Sequence, residues 1–187
     1  MKTKPTKQRG KVVMELDRGD EPMLEAANRA FAASPFRLKR ILVPVDFSDC
    51  SRKALQYALP LAQEHQAALT LLYVGPLPIY ASGEYGSVDT AALEAEMRAG
   101  AEKELSLLVA EEVGRKAPVT TVIRFGSPRS EILELADSLP ADLIVLSTHG
   151  RTGLKHVFLG SVAEAMVRHA PCPVLVVRER EREFLAK

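Results

Sequence analysis

Short apolar runs alternate along most of this chain with longer stretches of helical periodicity. Ile41-Leu42-Val43-Pro44-Val45 has the length of a strand. Asp46, Ser48 and Asp49 follow it, residues that start helices because their side-chain oxygens accept from unpaired backbone N–H groups. Leu55, Ala58, Leu59 and Ala62 then fall at i, i+3, i+4 and i+7 on one helix face, with Pro60 expected to bend or locally break the turn. Leu69 to Val74 reads as a second strand, and Gly75, Pro76, Pro78, Gly83 and Gly86 punctuate the long connection after it. From Asp89 to about Lys116 a longer helix carries Met97, Ala101, Leu105, Leu108 and Val109 on one face. Val119 to Phe125 is a third strand, whose Thr120, Thr121 and Arg124 predict an edge position.

Gly126-Ser127-Pro128 supplies a turn, an N-cap and a first-turn proline for a helix through Leu139. Leu143 to Leu146 is a fourth strand. Ser161 to His169 is a helix stopped by Pro171 and Pro173, and Val174-Leu175-Val176-Val177 is a fifth strand. Strands and helices thus alternate as βαβαβαβαβ. Right-handed crossovers make this an α/β fold with a doubly wound parallel sheet.

The two ends differ from this pattern. Residues 1–37 are charged and weakly periodic, and Lys2, Lys4, Lys7, Arg9 and Lys11 suggest a solvated tail. Asp20 and Pro22 open a short expected helix with Leu24, Ala27 and Phe31 on one face, suited to docking on the domain or a partner. Residues 179–187 begin with charges of alternating sign and read as a second tail. With 187 residues, 47% of them hydrophobic, the chain can build one substantial core, so one domain is expected over residues 38–178.

The net charge is +1 and its acids and bases are interspersed, unlike the footprint of a nucleic-acid binder. No apolar run approaches the roughly twenty residues of a membrane helix, and no signal-peptide core follows the basic N-terminus. A cytosolic protein is therefore expected. Cys50 and Cys172 form no CxxC pair, which points to two reduced thiols rather than a disulfide framework or a zinc site.

In a doubly wound sheet a ligand is expected outside the C-terminal strand ends. Asp46, at the end of the first strand, can accept from ribose hydroxyls or an amine, or it can cap the next helix. The loop from Ser147 to Ser161 leaves an apolar strand, carries Gly150 and Gly160, and enters a helix at Ser161, an arrangement that presents backbone N–H groups to an anion. The competing reading is structural, because Ser161-Val162-Ala163-Glu164 matches the capping box S-x-x-E. Arg151 and Lys155 either neutralise phosphate or are solvated, and His149 and His156 flank the loop without a metal-ligand pattern. The chain has no P-loop, nucleophile elbow or H-E-x-x-H motif.

Taken together, Ser147-Thr148-His149-Gly150, nine further residues and Gly160-Ser161 resemble the signature G-x2-G-x9-G-[ST] of ATP-binding universal stress proteins. The run from Arg40 to Ser48 resembles the first strand of that family, and Pro171 to Val177 its closing strand. The resemblance implies a five-stranded parallel sheet in the order 3-2-1-4-5, the adenine nucleotide alpha-hydrolase-like fold. It implies that ATP, or AMP or ADP in its place, with or without Mg, lies at the first and fourth strand ends. Pro44, Val45 and Asp46 would line the nucleoside side, and the backbone of Val74 would meet adenine. Gly150, Gly160, Ser161 and Val162 would hold phosphates, with Ser147, His149, Arg151 and Gly153 of the same signature completing the contacts. Ser147 stands where the signature has its first glycine, which adds a Cβ beside the nucleotide.

The resemblance also implies a homodimer formed by antiparallel pairing of Val174 to Val177, which covers an otherwise exposed apolar edge. The reading that follows is a dimeric, ATP-binding stress-response module with no or only slow hydrolysis. The loop from Gly75 to Val88 is a candidate lid. Two alternatives stand beside it, a nucleotide-free dimeric scaffold and an ATP-hydrolysing or adenylate-forming enzyme. Against the enzyme, Val45-Asp46-Phe47-Ser48 lacks the serine-glycine-glycine phosphate loop of ATP pyrophosphatases, and no catalytic base is evident.

Overall fold

The computed structural model describes residues 38–77, 90–150 and 159–180, together with the backbone of residues 2–5 and 12–15. Two compact units divide the chain at Arg37. In the first, β1 (Lys2–Pro5) and β2 (Val12–Glu15) pair antiparallel, with Lys2 opposite Glu15 and Pro5 opposite Val12. Two stretches of the tail expected here are thus paired strands. Their ladder is made by backbone N–H and C=O groups, which lysine carries as well as any other residue. The helix expected to carry Leu24, Ala27 and Phe31 lies outside the described residues.

The second unit holds β3 (Arg40–Val45), α1 (Asp49–His65), β4 (Ala68–Gly75), α2 (Thr90–Leu108), a π-helical turn (Val109–Val113), β5 (Val119–Phe125), α3 (Pro128–Ser138), β6 (Leu143–Ser147), α4 (Ser161–His169) and β7 (Val174–Val177). Its sheet is parallel throughout and ordered β5-β4-β3-β6-β7, which is 3-2-1-4-5 when strands are counted within the unit. Alternate residues of each central strand serve opposite layers. Ile41, Val43, Val45, Leu69 and Leu71 pack with Leu55 and Ala58 of α1 and Leu105 and Leu108 of α2. Leu42, Leu72, Ile144 and Leu146 pack with Ile132 and Leu135 of α3 and Ala163 and Met166 of α4. Burial on both faces explains why these strands are almost continuously apolar. β5 takes the edge position expected of it, with Thr120 and Thr121 exposed.

Helix α1 continues through Pro60 to His65, so of the expected bend or break the break does not occur. Pro60 and Gln56 are both exposed, and water can satisfy the carbonyl that proline leaves without its N–H partner. The Ser48 hydroxyl caps this helix by accepting from Ser51 N at 3.3 Å. Ser48→Ala is expected to lower stability by about 1 kcal/mol, read as a lower urea midpoint with an unchanged denaturant slope.

Candidate functional site

The turn after β3 is held by an acidic side chain. Asp46 Oδ1 accepts from Ser48 N at 3.2 Å and from Ser48 Oγ at 2.6 Å. Asp46 N donates to Ser51 Oγ at 3.4 Å. Asp46 is therefore not the cap of α1. It braces Ser48, which is. The residue between them, Phe47, has φ 66°, a left-handed conformation that costs a bulky residue about 1–2 kcal/mol. Its ring stacks on Tyr73 with centroids 4.8 Å apart and planes 28° from parallel.

The loop after β6 closes onto the same turn. A Cβ at Gly150 would lie 2.5 Å from Asp46 Oδ2, so only glycine lets the two loops meet with that carboxylate in place. A Cβ at Gly160 would lie 2.6 Å from the carbonyl oxygen of Thr148, which accepts from Gly160 N at 2.9 Å. Thr148 N donates in turn to Val177 O of β7 at 2.9 Å. The Thr148 peptide groups, in a residue only 8% exposed, thereby join the last strand to the start of α4. His149 Nδ1 and Thr148 Oγ1 share a hydrogen bond of 3.0 Å, and His149 Nε2 is buried with no hydrogen-bond partner among the described residues.

Ser147 does not leave its hydroxyl in the cradle. It donates to His149 O at 2.7 Å, folding the side chain onto its own loop. The described non-glycine residues with positive φ are Phe47 and Gln66, so position 147 does not use a glycine conformation.

At the start of α4 the capping-box reading is corrected. Gly160 is the N-cap, Ser161 is the first helical residue, and Glu164 accepts from Arg168 Nε at 3.1 Å rather than reaching back to the helix start. The Gly160–Thr148 bond sets this register by holding Gly160 extended, at φ −58° and ψ 148°. Because Glu164 N is the first to bond within the helix, to Gly160 O, the N–H groups of Ser161, Val162 and Ala163 have no acceptor inside it. They point out of the positive end of the helix dipole, where an anion is favoured. Gly160 N is not among them, since Thr148 already occupies it.

The fold thus brings Asp46, Ser147, His149, Gly150, Gly160, Ser161 and Val162 to adjoining strand ends. Pro44 is half-buried, whereas the Val45 side chain is buried in the α1-side core and leaves only its backbone for a ligand. The β3–β4 ladder ends at Val45–Tyr73, so Val74 extends past the end of β3 with its backbone beyond that ladder. Arg151, Gly153, Lys155, His156 and the loop residues 78–88 lie outside the described residues. Phe47 and Thr148 carry no motif of their own, and their parts are visible only once β3, β4, β6 and β7 are assembled. Among the described residues no group of three or more His, Cys, Asp or Glu can hold a metal ion. Both cysteines are free, and burial pushes each thiol up, with Glu179, Asp46 and Asp49 adding to the effect at Cys50 and Asp142 at Cys172. Neither is thereby activated as a nucleophile. No helix among the described residues is long and apolar enough to cross a membrane.

Comparison with known proteins supports the same architecture. A sequence model described as the universal stress protein family matches residues 37–178. A universal stress protein of Methanocaldococcus jannaschii is 38% identical over 149 residues, covering 78% of this chain and 85% of that protein. A putative universal stress protein of Staphylococcus haemolyticus is 38% identical over 76% of this chain and 86% of its own length. Among solved structures, the universal stress protein UspA from Lactobacillus plantarum superposes with a TM-score of 0.60 at 33% identity, covering 76% of this chain and 99% of that one. A universal stress protein family protein from Arabidopsis thaliana, solved with AMP bound, shares the fold at a TM-score of 0.54 and 21% identity, covering 79% of this chain and 96% of that one.

Proposed function

Because this chain belongs to the universal stress protein family, we propose that it is a stress-response module that binds an adenine nucleotide, ATP first with ADP or AMP as alternatives. The observation that carries this reading is the start of α4. Three first-turn N–H groups stand free of the helix beside two glycines that a Cβ would jam, and Asp46 lies across from Gly150. Such a site suits phosphate at α4 and a hydroxyl-bearing sugar at Asp46, whose carboxylate accepts hydrogen bonds. Mg would enter with the phosphates, which supply most of the oxygens that this hard cation prefers. The first-turn N–H groups of the cradle stabilise an anion, chemistry that supports binding with no or only slow hydrolysis.

The module acts as a cytosolic homodimer through the outer edge of β7, and its nucleotide state sets its partners. Calorimetric titration of the purified chain with ATP, ADP, AMP and cyclic AMP, each with and without Mg, tests the nucleotide. Saturable heat with ATP, with turnover far below about ten per second, is expected. Absence of heat with all four would leave the nucleotide-free scaffold as the better reading.

Ser147 gives a finer test. Its hydroxyl holds the loop at His149 O, and a hydrogen bond of this kind contributes about 1 kcal/mol. Ser147→Gly is therefore expected to weaken ATP binding about fivefold by calorimetry. Tighter binding would identify the serine Cβ as an obstacle instead.

A further inference from the structure

A cleft of about 520 Å³ opens on the other side of the strand ends from Val74, between α2 and the ends of β4 and β5. Its walls are the rings of Phe47, Tyr73 and Phe125 and, from α2, Met97, Ala101 and Glu104. Tyr73 packs with the α1 and α2 layer and Val74 with the α3 and α4 layer, so this space is separate from the cradle at Asp46 and Gly160. The volume is that of a small-molecule site.

Two residues at this cleft are locally costly choices. Phe47 holds its ring against Tyr73 from a left-handed backbone that its side chain disfavours. Gly100 lies in the middle of α2 and also lines the cleft, yet a Cβ there would meet nothing within 4 Å, so no close neighbour demands glycine. Locally costly choices that converge on one concavity are a mark of function. The charge is equally specific. Glu104 has no ion-pair partner among the described residues, whereas Arg98, 5.0 Å from the Phe125 ring, is already paired with Glu94 at 3.2 Å.

We propose that this cleft binds a planar aromatic amine in its protonated form, its ring against the aromatic wall and its ammonium at Glu104. Rings stack offset or edge-to-face on such walls, and an ammonium is attracted both to a carboxylate and to π faces. Gly100 and Glu104 of α2 take no part in the proposed nucleotide cradle, so either site can fail alone.

The full chain contains no tryptophan, so indole fluorescence anisotropy reports a bound indole directly. Tryptamine, titrated into the protein, should give a saturable rise in anisotropy, and indole-3-propionate, the same ring with a carboxylate, should bind at least about tenfold more weakly. Glu104→Gln should remove that preference. Gly100→Leu, which sits three residues after Met97 and four before Glu104 on the same helix stripe, should abolish tryptamine binding while leaving the ATP titration and helical circular dichroism unchanged. No saturable tryptamine signal, equal binding of both indoles to the native protein, or binding indifferent to both substitutions would overturn the assignment.

Discussion

Gly160→Ala is expected to weaken ATP binding by at least about 100-fold while leaving the fold standing. The added methyl would sit 2.6 Å from the Thr148 carbonyl oxygen, and that atom is backbone, so it cannot swing aside as a flexible side chain would. Relief requires the β6 loop and the start of α4 to separate. The Ser161, Val162 and Ala163 N–H groups then lose their common aim. Hydrogen bonds from N–H groups to a charged acceptor contribute about 1.5–3 kcal/mol each, so misplacing two of them removes about 3 kcal/mol or more, a factor of about 100. Stability should fall much less, by about 1 kcal/mol for the lost Gly160–Thr148 bond, because position 160 lies outside both core clusters. Calorimetry for affinity and a urea melt for stability separate the two effects. Unchanged affinity in a folded variant would place the phosphates elsewhere.

The second large effect concerns β7. Pro173 O accepts from Ile144 N at 3.0 Å and Val177 O accepts from Thr148 N at 2.9 Å, so the odd-numbered positions of this strand face β6. Strand geometry then turns the N–H and C=O of Val174 and Val176 outward, along the open edge of the sheet. A second copy pairing there antiparallel would use those groups. Val176→Pro deletes one outward donor, keeps the inward ladder, and is tolerated on an edge strand. Sedimentation velocity should show the native chain as a dimer and the variant as a monomer, with matching circular dichroism. A variant that stays dimeric would move the interface away from this edge.

What could be read from the sequence follows from what is local. Strands such as Val119–Phe125 and Val174–Val177 are legible because burial on one or both faces stamps a run of apolar or alternating residues directly on the chain. The bounds of α4 are legible in the same way, but its N-cap is Gly160 and not Ser161, for the opposite reason. Ser161-Val162-Ala163-Glu164 satisfies the capping pattern locally, but a hydrogen bond from Gly160 to Thr148 across the loop decides where the helix begins. Asp46 was open between capping and binding because its role depends on Ser48 beside it and on Gly150 far along the chain. A local pattern pairs Gly160 with an anion, whereas the group that a Cβ there would meet first in the fold is the carbonyl of Thr148, twelve residues earlier. The strand pair at residues 2–5 and 12–15 leaves no periodic trace, since lysine and proline obscure a ladder made by the main chain.

The Thr148 peptide groups tie together elements that the chain synthesises far apart: β6, the end of β7 and the start of α4, with Gly150 beside Thr148 seated on the β3 turn. No contiguous fragment short of nearly the whole second unit contains all of them. A ligand held there would therefore be lost by any global unfolding event and would resist it by mass action, by about 2.7 kcal/mol at a hundredfold excess over its Kd. Occupancy would then lengthen the life of the whole sheet against heat and proteolysis, and melting with and without ATP would read the cradle through the cooperativity of folding.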